Sequence, residues 1–168
     1  IFYLAASQAQ IIQENDIVIN EIMADPSPAV ALPEWEYIEL YNVSENTINI
    51  RDWILIIGKK EYIFENDIEI QSDEYLVLCH NNAVEDLSKF GNCHAFSSFQ
   101  ITNSGLNISL IDNNDKLISS VNFDISWHST SYKEEGGWSL EQIDPFNPKI
   151  RKNNWGSSIS KNGGTPSM

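Results

Sequence analysis

The chain has 168 residues, with 10 Lys+Arg against 24 Asp+Glu, so its formal net charge is −14. An apolar share of 42% suits one domain with one core, while 8 Gly and 6 Pro exclude a collagen-like or low-complexity chain and an aromatic share of 11% argues against disorder. The acidic balance disfavours nucleic acid and anionic lipid surfaces as partners and leaves cations or basic surfaces as the better matches.

In chain order, Ile1 to Gln10 (IFYLAASQAQ) differs in character from the rest of the chain. An apolar run leads into Ser7-Gln8-Ala9, which sets small side chains at the −3 and −1 positions of a signal-peptidase site. The sequence therefore predicts an export-signal remnant and leader over 1–16 and a folded domain over 17–168. The expected location is the periplasm, the cell surface or the extracellular space. No segment approaches the roughly 20 apolar residues of a transmembrane helix.

From residue 17 onward the pattern is β. Isoleucine-rich runs that fit a pleated, half-buried surface alternate with asparagine-rich turn signals. Strands are expected at 17–23, 36–42, 47–50, 53–57, 61–64, 75–79, 107–111, 116–123 and 138–143. Gly58-Lys59-Lys60 and Asp112-Asn113-Asn114-Asp115 read as hairpin connections. This spacing implies an all-β sandwich or barrel. One short helix is expected after Asn82, which would cap it, with Val84 and Leu87 on one face and Gly91 as the stop.

The segment Ala24 to Pro33 is a long connection stiffened by three prolines, and it delivers Trp35 at its end. Asp25, Pro26, Pro28, Leu32 and Trp35 are the candidate binding loop, because recognition sits on loops carried by a rigid scaffold. The competing reading folds Val30, Leu32 and Trp35 back to plug the end of the sandwich.

Cys79 and Cys93 are each followed by histidine. A disulfide closing the intervening loop, a zinc site shared with His80 and His94, and two free thiols are the alternatives. Strand geometry weighs against zinc, since Cys79 and His80 would point to opposite faces. Glu34, Glu36 and Glu39 surround Trp35 and invite a glycosidase reading. Strand alternation separates Glu39 from the other two, and a solvated acidic edge is the commoner arrangement. Asp112 to Asp115 lacks the central glycine and closing glutamate of a calcium loop. The G-x-S-x-G, phosphate-loop and H-E-x-x-H patterns are absent, so no catalytic residue, metal site or cofactor is assigned.

Taken in order, several short motifs resemble the lamin tail domain as it occurs in exported bacterial proteins. They are Ile19-Asn20-Glu21-Ile22-Met23-Ala24-Asp25-Pro26, Glu36 to Asn42, Ile50-Arg51-Asp52-Trp53, Tyr75-Leu76-Val77-Leu78 and Thr102 to Leu110. Gly137-Trp138-Ser139-Leu140-Glu141, Asn154-Trp155 and Gly163-Gly164-Thr165-Pro166 complete the likeness, which spans about residues 17–166. The resemblance implies an immunoglobulin-like β-sandwich without catalytic residues. It further implies an accessory or interaction module within a larger exported protein, with a protein or glycan partner at the cell envelope. A part in a secreted hydrolase and a structural spacer are the rival roles.

Overall fold

The computed structural model describes residues 11–148 and 152–168; the export-signal motif within Ile1–Gln10 lies outside them. Ile17, Ile19 and Ile22 of β1 (Ile17–Met23) and Ile38 and Leu40 of β2 (Tyr37–Asn42) enter the main core, and the two strands pair antiparallel. Short strands β3 (Ile48–Asn49), β4 (Ile54–Ile57), β5 (Lys60–Ile63) and β6 (Glu69–Ile70) lead to β7 (Tyr75–His80). A single turn, α1 (Val84–Leu87), crosses over to β8 (Cys93–Phe96), which pairs parallel with β7. The long hairpin β9 (Gly105–Ile111) and β10 (Leu117–Asp124) comes next, then a second turn, α2 (Ser131–Glu134), and strands β11 (Leu140–Gln142) and β12 (Trp155–Ser157).

The strands form a six-stranded sheet in the order β12-β11-β1-β2-β7-β8 and a four-stranded sheet in the order β10-β9-β4-β5, with β3 and β6 paired separately. Between the two large sheets lies the main core, which includes Ile17, Ile38, Trp53, Phe64, Leu78 and Leu110. The expected all-β, immunoglobulin-like sandwich is the fold observed. Both predicted hairpins form. Gly58 takes φ +62° in the first, and in the second Asp112 Oδ1 accepts from the N–H groups of Asn114 (2.8 Å) and Lys116 (2.9 Å).

An exposed antiparallel sheet usually shows one face to water. Here the outer face of the six-stranded sheet is covered as well. Met23, Tyr37, Val77 and Cys79 on that face pack with Leu32 from the proline loop and Ala83 and Leu87 around α1. β2 is consequently buried at all six positions. The helix stands where the sequence places it, but its cap differs. Asn82 does not cap it: α1 has no side-chain cap, and a 3-10 turn (Asn81–Ala83) precedes it, capped by His80 Nδ1, which accepts from Asn82 N–H at 3.1 Å.

Candidate functional site

Pro33 is followed by a turn in which Trp35 N–H donates to Pro33 O at 2.8 Å, and β2 begins two residues later. That turn swings the Trp35 indole towards α1, where Nε1–H donates to Asp86 Oδ2 at 3.0 Å. Asp86 also takes Lys89 Nζ at 2.8 Å, and these two bonds hold its carboxyl below the ordinary range. The half-buried indole therefore forms a fixed wall and not a free side chain.

Facing it is the strap around Ser98. Lys60 Nζ (2.7 Å) and Tyr62 Oη (3.1 Å) both donate to Ser98 O. Glu36 Oε2 accepts from Ile101 N–H at 2.9 Å, which ties the strap to the start of β2. Burial raises the Glu36 carboxyl despite that bond. Between wall and strap lies an open groove of about 580 Å³, to which Pro26, Glu34, Trp35, Lys60, His80 and Gln100 contribute. Its size is that of small-molecule and peptide-side-chain sites.

The five loop residues singled out by sequence separate into four locations. Pro26 and Trp35 line the groove. Asp25 turns away towards the Gly136 backbone and a minor cavity that His128 and Lys133 share. Pro28 is exposed but its carbonyl is locked against Gly137, where a Cβ would stand 2.2 Å from Pro28 O and φ is +76°. Leu32, 6% exposed, belongs to the outer-face core.

The carboxylates are arranged otherwise than the sequence implied. Glu34 is exposed, and its Oε1 accepts from Ser27 Oγ and Ala29 N–H, both at 3.2 Å, bracing the loop. Glu39 is not a solvated edge residue: it is fully buried, 0% exposed, as is Glu21. Cross-strand register sets Glu141, Glu21 and Glu39 in one row on the outer face of β11, β1 and β2. The chain's last residues lie along this row. Thr165 donates its N–H to Glu21 Oε1 (2.9 Å) and its hydroxyl to Glu141 Oε1 (2.9 Å), while Ser167 N–H and Asn20 Nδ2 donate to Glu39. Burial lifts the Glu21 carboxyl to about 7 and that of Glu39 to about 8. No side chain among the described residues pairs a cation with either. Buried carboxylates without a cation hold their protons well above the ordinary carboxylate range.

Cys79 and Cys93 sit on neighbouring strands and are unbonded. Their thiols interact: that contact, joined by burial, pushes Cys79 up, and the same contact draws Cys93 down against the effect of burial. His94 points the other way from Cys93. His94 packs on Phe64 (5.4 Å) and Phe96 (4.8 Å) at the main core, whereas both cysteines join the outer-face cluster. Among the described residues no group of three or more His, Cys, Asp or Glu side chains is placed to hold a metal.

The two packed sheets, the covered outer face and the groove beside Trp35 define an immunoglobulin-like β-sandwich. The family model described as Lamin Tail Domain matches residues 11–124, and the chain belongs to that family. The match stops short of β11 and β12, although both strands complete the six-stranded sheet. No curated protein matches the chain. No helix among the described residues is long and apolar enough to cross a membrane.

Proposed function

We propose that the chain is a non-catalytic interaction module of a larger exported protein, and that it docks a protein of the cell envelope at the Trp35 groove. The observation that carries this reading is the immobilised Trp35 indole. Rigid aromatic anchors beside mixed polar groups are what interfaces concentrate. Asp86 is engaged by the Trp35 indole and Lys89, and Glu34 and Glu36 by backbone N–H groups, roles in holding the loop that leave no free acid–base pair. The small side chains of the Ser7-Gln8-Ala9 motif support export, and the −14 charge favours a basic docking surface. A spacer would need no such groove.

In the oxidising compartment this reading implies, Cys79 and Cys93 form a disulfide by exchange with an oxidised thiol partner. A photo-crosslinking side chain at exposed Gln100 provides the test of docking. A discrete adduct with an envelope protein, lost in Trp35→Ala, is expected. An adduct pattern indifferent to Trp35→Ala overturns the docking site, and turnover of glycan, ester or phosphodiester substrates by the purified chain overturns the non-catalytic reading.

A further inference from the structure

A second cleft, sharing no residue with the Trp35 groove, opens where the β11–β12 wing of the large sheet extends past the edge of β10. It has a volume of about 420 Å³, inside the range of small-molecule sites. Glu14, Asn107, Asn122, Trp127, Gln142 and Trp155 are prominent in its lining. Trp127 is half-buried and stands 6.4 Å from Trp155, centroid to centroid, with the rings inclined at 44°. Trp155 is only 8% exposed and backs Trp127 against the core. The floor is therefore a fixed aromatic surface.

One polar group beside it is idle. Gln142 Oε1 is shut off from solvent and has no hydrogen-bond partner among the described residues. A buried acceptor without a donor costs roughly 1–3 kcal/mol, a penalty relieved when a bound molecule supplies one. Asn107 gives its amide Nδ2 to Ser109 Oγ (2.9 Å), and Asn122 stands directly across from Asn107 in the β9–β10 register. Amides, hydroxyls and an aromatic floor together suit a ligand with an apolar face and a rim of donors and acceptors. A pyranose ring has both: its axial C–H groups present an apolar face, and its equatorial hydroxyls donate and accept in the ring plane. Glu14 and Lys152 contribute one charge of each sign to the lining, and the chain's −14 charge repels anionic polymers.

We propose that the Trp127–Trp155 cleft is a saccharide-binding site that takes a neutral oligosaccharide, with Trp127 as the stacking platform and the Gln142 amide turning into the cleft to accept a sugar hydroxyl. This site is independent of the Trp35 groove, so each stands or falls separately.

The test uses the full chain, titrated with short neutral oligomers of glucose, mannose, xylose and N-acetylglucosamine, and with a uronic-acid oligomer as the charged control. Binding is followed by calorimetry and by the indole N–H resonances in two-dimensional NMR. At least one neutral oligomer binds with a dissociation constant below roughly 1 mM and moves the Trp127 resonance while leaving Trp35 unmoved. Trp127→Ala weakens that binding at least about tenfold, Gln142→Leu weakens it, and Trp35→Ala leaves it unchanged. Absence of binding by every neutral oligomer, preference for the uronic-acid oligomer, or binding that leaves the Trp127 resonance in place overturns the proposal. Should Trp127→Ala fail to fold, the resonance shifts of the unsubstituted chain decide the outcome.

Discussion

Tyr37 Oη donates to Glu21 Oε1 at 2.6 Å, and both side chains are fully buried on the outer face of the six-stranded sheet. Gly164 closes over this pair. A Cβ there would stand 2.6 Å from Tyr37 Oη, 2.7 Å from Glu21 Oε1 and 2.8 Å from Leu32 Cδ1. The Gly-Gly-Thr-Pro motif thus has a packing reason: it presses backbone, and nothing bulkier, onto a buried hydroxyl–carboxyl contact.

Tyr37→Phe removes that donor and leaves the surrounding apolar contacts of Tyr37 in place. A loss of about 1–3 kcal/mol is expected, because Glu21 is buried and keeps only Thr165 N–H at that oxygen. Urea denaturation at constant pH measures it as a lowered midpoint with an unchanged slope.

Gly164→Ala forces a methyl group into occupied space. The expected cost is again about 1–3 kcal/mol, as for other overpacked sites. Pairing it with Tyr37→Phe provides the internal check. The double variant should lose less than the sum of the two single losses, since Phe vacates one of the clashing atoms.

Stability should fall as pH rises from 6.5 to 8. Glu21 and Glu39 titrate near 7 and 8 in the folded chain and near 4.5 when unfolded, so the folded state holds their protons more tightly. Their contribution is full below pH 4.5 and is lost as pH climbs through those values. His128 acts in the opposite sense. Burial, with Lys133 nearby, depresses it from 6.5 to about 4, so its contribution is complete above 6.5 and is lost on acidification through 4. Of these three groups only the glutamates act between 6.5 and 8. Glu39→Gln should flatten the slope there and raise stability at pH 8 by about 1 kcal/mol or more, read from melting curves across that window.

Ser119→Ala isolates the junction between the sheets. Buried Ile19 N–H donates to Ser119 Oγ at 3.1 Å where β1 shifts register between Ile19 and Glu21. An alanine leaves that N–H without its acceptor, and a destabilisation of about 1–3 kcal/mol is expected in thermal unfolding.

Oxidised glutathione should join Cys79 to Cys93, each thiol giving up its hydrogen as the glutathione disulfide is reduced. Cys93 lies opposite Val77, diagonal to Cys79, so closure draws the short edge strand β8 along β7. Peptide mapping without reductant checks it. Two alkylatable thiols remaining after treatment would reject the bond.

Strand β1 is legible to the residue, because isoleucines recur along it between clear turn signals. β8 is not. All four of its residues are half-buried, so no alternation marks it, and its parallel pairing depends on a crossover that local pattern does not show. β12 escapes a sequence reading because Trp155-Gly156-Ser157 has little β character of its own. Glu39 misleads for a different reason. Alternation correctly sets it on the outer face, yet whether that face meets water depends on a segment more than a hundred residues away. The Trp35 loop carries its own signal in its prolines. The Trp127 cleft carries none, since its residues come from separate stretches between Glu14 and Trp155 and converge only in the fold.

Thr165 N–H and Glu21 Oε1 are separated by 144 positions. That distance makes the outer face a late event in time as well as in sequence. Loop closure on this scale is slow, and sheets dominated by distant partners fold on millisecond-to-second timescales. During synthesis β1 and β2 are complete long before Thr165 and Ser167 appear, so Glu21 and Glu39 wait uncovered for the segment that buries them.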